Sequence, residues 1–221
     1  IEELDPVVEE QMLILSGGST PIFGKKTGHL PCNGEYSYEL VKKTLFAYLE
    51  KPFVDLTEEL PQMPMRPPVL CAGCPHRASF YAAKVATKGM NAVYCGDIGC
   101  YTLGNAAPLN MVDTCLCMGA GITIAQGLTL AEPGKKCLSF AGDSTFFHTG
   151  IPGVINAVYQ NTDITIVVLD NHTTAMTGQQ PHPGTGVTAM GEKTKALDIE
   201  TMLRACGVDV IYTVNPFDFD A

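Results

Sequence analysis

The chain has 221 residues, 46% of them apolar, which is enough to bury a sizeable core in one large domain or one domain plus an arm. Its net charge of −9 argues against a nucleic-acid surface, which needs clustered Lys and Arg, and no apolar run reaches the roughly 18 residues of a membrane span. No signal peptide is visible, and nine cysteines without secretory context point to the reducing cytoplasm, with metal or redox chemistry at some of them. Ile1 in place of an initiating Met, and the stop at Ala221, read as the ends of a segment of a longer polypeptide.

Residues 1–36 carry many breakers, among them Gly17, Gly18, Pro21, Gly24 and Pro31. They read as an arm with a flexible linker, because the run from Gly17 to Lys26 lacks the Gly-Lys-Ser/Thr ending and the preceding strand of a phosphate loop. Ser37 is placed to cap a helix over 38–50, with Tyr38, Val41, Leu45, Tyr48 and Leu49 as its apolar stripe. Pro61, Pro64, Pro67 and Pro68 make 55–68 a semi-extended linker, since each Pro disfavours helix in its predecessor. The expected division is 1–66 for arm, helix and linker, and 67–221 for the main domain.

Pro75 opens a predicted helix that ends at Gly89, with Ala78, Tyr81, Ala82, Val85 and Ala86 facing inward. Cys71 and Cys74 then sit at its N-terminus, where the helix dipole favours a thiolate. Residues 92–95 read as a short buried strand, ending in a loop whose Gly96 and Gly99 permit close backbone approach to a ligand. The next helix is expected over 117–130. Gly119, Gly121 and Gly127 inside it point either to close packing or to a cofactor, since each costs about 1 kcal/mol relative to Ala.

The central stretch is 137–184. Two apolar runs of strand length, 137–141 and 164–169, are joined by a predicted crossover helix over 149–161, with Ile151, Val154, Ile155, Val158 and Tyr159 on its apolar face. Nearly continuous apolar strands belong to a sheet buried on both faces. The first run stops at Gly142 and Asp143, the second at Asp170 and Asn171. That puts two hard oxygen ligands at the carboxyl ends of two strands, where open α/β sheets bind ligands, and it suits Mg²⁺ with phosphate oxygens completing its shell. Ile199, Met202, Leu203 and Cys206 form a further helical stripe, and Val208, Val210, Tyr212 and Val214 alternate as a strand. Strands alternating with helices make the class α/β, with a mostly parallel central sheet.

The pattern Gly142-Asp143-Ser144, some 25 residues, then Asp170-Asn171 resembles the thiamin-diphosphate motif. It departs from that motif at Ser144 and Asp170. The continuation from Thr174 to Gly184 narrows the likeness to the α subunit of indolepyruvate ferredoxin oxidoreductase, among the 2-oxoacid:ferredoxin oxidoreductases. The runs 71–77, 96–104 and 113–119 resemble the same subunit, strongly over about 66–215 and more loosely before.

The resemblance implies a three-layer thiamin-diphosphate-binding fold, with helices on both faces of the sheet. It implies Mg²⁺ held by Asp143, Asn171 and the Thr173 carbonyl against thiamine diphosphate. Gly96, Asp97, Gly99, Cys100, Cys117, Met118, Gly119, Gly142, Ser144, Thr177 and Gly178 are the remaining candidate cofactor-binding residues. Gln180 and His182, on a loop shaped by glycines and prolines, are the candidate catalytic side chains. Cys71, Cys74 and Cys100 resemble three ligands of a [4Fe–4S] cluster; a zinc site or free thiols lining the pocket are the competing readings.

The implied activity is oxidative decarboxylation of an aryl 2-oxoacid, with coenzyme A taking the acyl group and ferredoxin the electrons. The pyrimidine-binding domain, a second subunit and a dimer are the implied partners, and the isolated chain is expected to be inactive. Half of a non-oxidative thiamin-dependent decarboxylase or carboligase is the alternative activity, and a non-catalytic cysteine–metal interaction module the alternative class.

Overall fold

The computed structural model describes residues 1–54 and 64–218. The chain divides into two compact units, Ile1–Met65 and Arg66–Ala221. Residues 55–63 of the expected linker lie outside the described residues, as do the last three positions.

The first unit is more ordered than its breakers predict. Helix α1 (Val7–Ser16) ends at Gly17 in the left-handed conformation. Its Glu9 is buried, and the carboxylate accepts the backbone N–H groups of Lys25 at 2.8 Å, Lys26 at 2.9 Å and Thr27 at 3.2 Å. The stretch expected to be a flexible linker is therefore a loop wrapped on a buried anion, and a Cβ on Gly24 would fall within 2.3 Å of that carboxyl group. This pairing spans 16 to 18 residues, so local periodicity carries no trace of it. Helix α2 (Tyr38–Tyr48) has the expected cap: the Ser37 side chain accepts the Leu40 N–H.

In the second unit three parallel strands lie in the order β1 (Ala92–Cys95), β2 (Lys136–Gly142), β3 (Ile164–Leu169). Cys95 stands beside Ser139, and Gly142 beside Leu169. Helices cover both faces, as the class requires. On one face α3 (Pro75–Ala86) inserts Phe80 among Phe140, Met111, Leu138 and Leu169. On the other, α4 (Ala120–Ala131), α5 (Ile151–Tyr159) and α6 (Ile199–Ala205) pack through Ile122, Ala125, Val154 and Met202. Strand β2 is buried from its second residue onward. Burying a Phe, Ile or Val side chain contributes roughly 1.5–3 kcal/mol each.

Several boundaries and faces differ from expectation. The buried face of α3 is His76 and Phe80, not Tyr81 and Val85, which are exposed. Phe80 sets that phase by packing its ring against Phe140, tilted by 50° at a centroid distance of 4.7 Å. Helix α4 starts at Ala120 rather than at residue 117, because Gly119 precedes it at φ +85°, outside helical space. Gly121 meets the Cys95 carbonyl, where an added Cβ would be 2.9 Å away, whereas Gly127 faces open space. So close packing against β1 accounts for one of the two interior glycines, and no neighbour accounts for the other.

The crossover turns helical at once after β2: an α turn over Asp143–Thr145 and a π turn over Phe146–Gly150 lead into α5. Its buried residues are Gly153, Val154 and Ala157; Ile155 and Tyr159 face outward. The alternating run 208–214 is not a strand. Val208 packs onto the core, but Val210, Tyr212 and Val214 are exposed and unpaired among the described residues. Alternation alone does not make a strand without a neighbour to hydrogen-bond it.

Candidate functional site

Because the strands are parallel, the loops after β1, β2 and β3 emerge at the same end of the sheet. They deliver Asp97, Asp143 and Asn171 respectively. Asp143 is 2% exposed. Its Oδ1 accepts the Ser144 N–H at 2.7 Å and its Oδ2 the Asn171 N–H at 3.1 Å. The last of these bonds ties the two strand ends together. Asn171 Oδ1 in turn accepts the Thr173 N–H at 3.3 Å. The three expected Mg²⁺ ligands are thus consecutive along one hydrogen-bonded chain.

Asp170 adds a second acid. Its carboxyl is raised from the usual carboxylate value, first by burial and further by the carboxyl of Asp143 against it, while the His172 N–H and imidazole pull it down. His172 Nδ1 lies 3.3 Å from that carboxyl. Two acids pressed together at a strand end, one of them buried, form a site that a cation would relieve. The fit is to a hard divalent ion: a carboxylate, an amide oxygen and a backbone carbonyl are all oxygen donors.

A second network lies beneath. Asp97 is fully buried and receives the Tyr101 O–H on Oδ1 and the Gly119 N–H on Oδ2, the latter at 2.8 Å. The Tyr101 hydroxyl also lies 2.7 Å from Thr145 Oγ1. One phenol thereby links the loop after β1 to the turn that carries Asp143. The glycines of both loops make room for its ring, since a Cβ on Gly99 or Gly142 would stand 2.3 or 2.7 Å from Tyr101 Cε1. Close approach at these two glycines is made by protein.

Burial holds the Asp97 carboxyl above its ordinary 3.8, against the lowering effect of the Tyr101 and Gly119 hydrogen bonds. A raised folded value means stability that is full below pH 3.8 and is lost as the pH rises through the folded value. Asp97→Asn is expected to remove that loss. Thermal unfolding from about pH 4 to about pH 7 would show a flatter profile for the variant; parallel profiles would contradict the assignment.

Among the remaining sequence-predicted residues, Ser144 and Gly119 are buried in the site, whereas Cys117 and Met118 are exposed on the approach to α4. Thr177 and Gly178 lie at the tip of a loop closed by paired backbone bonds between Thr174 and Gln180. Gln180 is exposed and bound back to Thr177, its Oε1 accepting the Thr177 hydroxyl at 2.7 Å. It lines a cavity of about 320 Å³ together with Thr173, Pro181, Thr185, Val187 and Thr188. His182 is buried instead, its ring stacked on Phe147 and its Nε2 3.1 Å from Asp143 Oδ2.

All nine cysteines are free thiols. Cys74 Sγ lies 3.3 Å from His76 Nδ1. Burial raises the Cys100 thiol first, and the nearby Cys74 and Cys71 raise it further. Among the described residues no group of three or more His, Cys, Asp or Glu side chains is arranged to hold a metal ion. Tyr101, Thr145, Asp170 and Phe147 were not singled out from sequence as site residues. Only Asp170 left a signal there, as the acid standing where the motif has Asn.

The parallel sheet thus presents a buried Asp and an Asn at adjacent strand ends, the end at which open α/β sheets bind ligands. The chain belongs to the thiamine pyrophosphate enzymes, through the C-terminal TPP binding domain that their family model matches over residues 97–220. It is similar to indolepyruvate oxidoreductase subunit IorA of Archaeoglobus fulgidus, with 44% identity over 99% of this chain and 36% of that protein. The same subunit of Methanothermobacter marburgensis is 42% identical over 99% of this chain and 36% of its own length. The chain thus spans about a third of the length of these curated relatives. A 2-oxoglutarate:ferredoxin oxidoreductase from Magnetococcus marinus, solved with 2-oxoglutarate, coenzyme A and succinyl-CoA bound, shares the fold at a TM-score of 0.53 and 19% identity, covering 67% of this chain and 53% of that one. No helix among the described residues is long and apolar enough to cross a membrane.

Proposed function

We propose that this chain is the diphosphate-binding part of a cytoplasmic, ferredoxin-linked oxidoreductase that decarboxylates aryl 2-oxoacids such as indolepyruvate. The observation that carries the reading is the bond from the Asn171 N–H to the buried carboxylate of Asp143, across two parallel strand ends. It is supported by the relatives' printed activity.

In this reading Asp143, Asn171 and the Thr173 carbonyl hold Mg²⁺, and the loops at 96–100, 117–119, 142–144 and 177–178 form the walls around the diphosphate. Bound thiamine diphosphate supplies the nucleophilic carbon and electron sink for decarboxylation. The protein's own part is orientation and exclusion of water. Gln180 meets a polar group of the substrate in this reading, which its position on the cavity wall with Thr173 supports. Cys71, Cys74 and Cys100 are the thiols that a [4Fe–4S] centre would use. Such a centre takes four ligands, and among the described residues these three thiols are not arranged as a metal-binding group, so no electron-transfer step is assigned to them.

Coenzyme A and ferredoxin are the proposed acceptors, with a pyrimidine-binding domain and a second subunit completing a dimeric enzyme. The test is anaerobic turnover by the whole protein with its partner subunit, using indolepyruvate, coenzyme A and a viologen acceptor. Acceptor reduction with an acyl-CoA product is expected, and none from the isolated chain. Free aldehyde without acceptor reduction would replace this reading with a non-oxidative decarboxylase.

A further inference from the structure

His182 is held between Phe147 and Gly184. Its ring lies nearly parallel to Phe147, at 5.8 Å and 25° between planes. Phe147 itself follows Asp143 by four residues in the π turn. Gly184 packs close by: an added Cβ there would stand 2.8 Å from the Phe147 ring and 3.0 Å from His182 Cε1. The side chain is 1% exposed. Nothing in this packing leaves the ring free to turn toward solvent.

The backbone N–H of Gly184 donates to His182 Nδ1 at 3.1 Å. Nδ1 is therefore the acceptor, and in the neutral ring the proton sits on Nε2. That Nε2 lies 3.1 Å from Asp143 Oδ2 but out of line for a hydrogen bond, and it has no hydrogen-bond partner among the described residues. A buried donor without an aligned hydrogen bond is rare in folded proteins and points to a further group. Three candidates fit beside Asp143: a cation, a substrate, or the phosphate that a cation carries. A cation needs a lone pair on Nε2, which would put a proton on Nδ1 facing the Gly184 N–H, donor against donor. A substrate entering the open cavity meets Gln180, which lines it, and not His182, which does not. An anionic oxygen beside the cation satisfies every contact.

We propose that His182 Nε2–H donates to a phosphate oxygen of the bound diphosphate, so that His182 anchors the cofactor instead of acting on the substrate. The inference rests on the thiamine-diphosphate reading above. It makes the site selective for a cation–diphosphate pair over the cation alone, because Asp143 serves both and His182 only the anion.

The test compares the whole protein in its native assembly with His182→Phe, which keeps a ring against Phe147, and with His182→Gln, which restores an N–H donor. Three probes are titrated: Mn²⁺ alone by electron paramagnetic resonance, and Mg²⁺ with inorganic pyrophosphate or with thiamine diphosphate by calorimetry. Loss of a charge-assisted hydrogen bond weakens binding roughly 10- to 100-fold. That loss is expected for both diphosphates in His182→Phe, with partial recovery in His182→Gln and Mn²⁺ binding changed less than about twofold. Equal weakening of Mn²⁺ would make His182 a cation ligand and overturn the proposal. Unchanged diphosphate binding with lost turnover would overturn it in favour of a substrate role. If the unaltered protein binds neither diphosphate, the thiamine reading itself falls, which is a separate result from a variant that binds as well as its parent.

Discussion

Asp143→Ala is expected to abolish Mg²⁺-dependent binding of thiamine diphosphate, raising the dissociation constant by at least about 100-fold. The carboxylate is the buried charge of the expected ligand set; Asn171 and Thr173 offer neutral oxygens only. A divalent ion carrying a diphosphate needs that charge, because in a site of low dielectric the neutral donors cannot replace it. Asp170 does not substitute. It lies partly in solvent, is contacted by His172, and has its ionised form disfavoured by burial.

Stability should fall too, by a free energy no larger than the loss in binding. Removing the carboxylate leaves the Ser144 and Asn171 N–H groups without their acceptor, costing about 1–3 kcal/mol. It also removes the acid that presses on Asp170, which offsets part of that cost. Calorimetry of the whole protein with and without Mg²⁺ checks the binding, and thermal unfolding checks the fold. A variant that binds like its parent would refute the assignment of the cation to β2.

Phe140→Ala should be the most destabilising of the core substitutions, by about 3–5 kcal/mol. Phe140 is fully buried in the middle of β2 and packs in a tilted contact against Phe80 of α3. It shares its cluster with Tyr101, Met111 and Leu169. Truncation to Ala would open a cavity bounded by the sheet and by α3, and neither wall can move in freely while β2 is hydrogen-bonded on both sides. Against a typical total of about 5–15 kcal/mol, that is a large share.

The effect should reach the site, since Phe140 lies three residues before Asp143 on the strand that aims it. Tyr101 lines the same cavity and carries the hydroxyl that contacts Thr145. Phe140→Leu keeps most of the volume and should cost less than about 1.5 kcal/mol. Denaturant unfolding of both variants tests this. A loss below about 1 kcal/mol for Phe140→Ala would mean that the cavity collapses at little cost.

Much of the site is legible in the chain itself. Apolar runs of strand length, each ending in Asp or Asp-Asn and joined by a helical stretch, already require parallel strands with oxygen ligands at one end. That inference depends only on local periodicity and chain connectivity, which are properties of sequence. The capped helix after Ser37, the helix after Pro75 and the stripe at 199–206 are readable for the same reason.

What the sequence does not carry is every relation set by distant neighbours. Which face of α3 is buried depends on Phe80 finding Phe140, 60 positions away. Whether 208–214 becomes a strand depends on a partner strand, and none pairs with it among the described residues. Glu9 needs a loop 16 residues on to become a buried anchor. His182 offers the same contrast: as a residue in a loop it has the chemistry of any exposed imidazole. Only folding sets it against Phe147 and Asp143, both far away in the chain; the Gly184 N–H that fixes its tautomer is local, two residues on, but the burial is not.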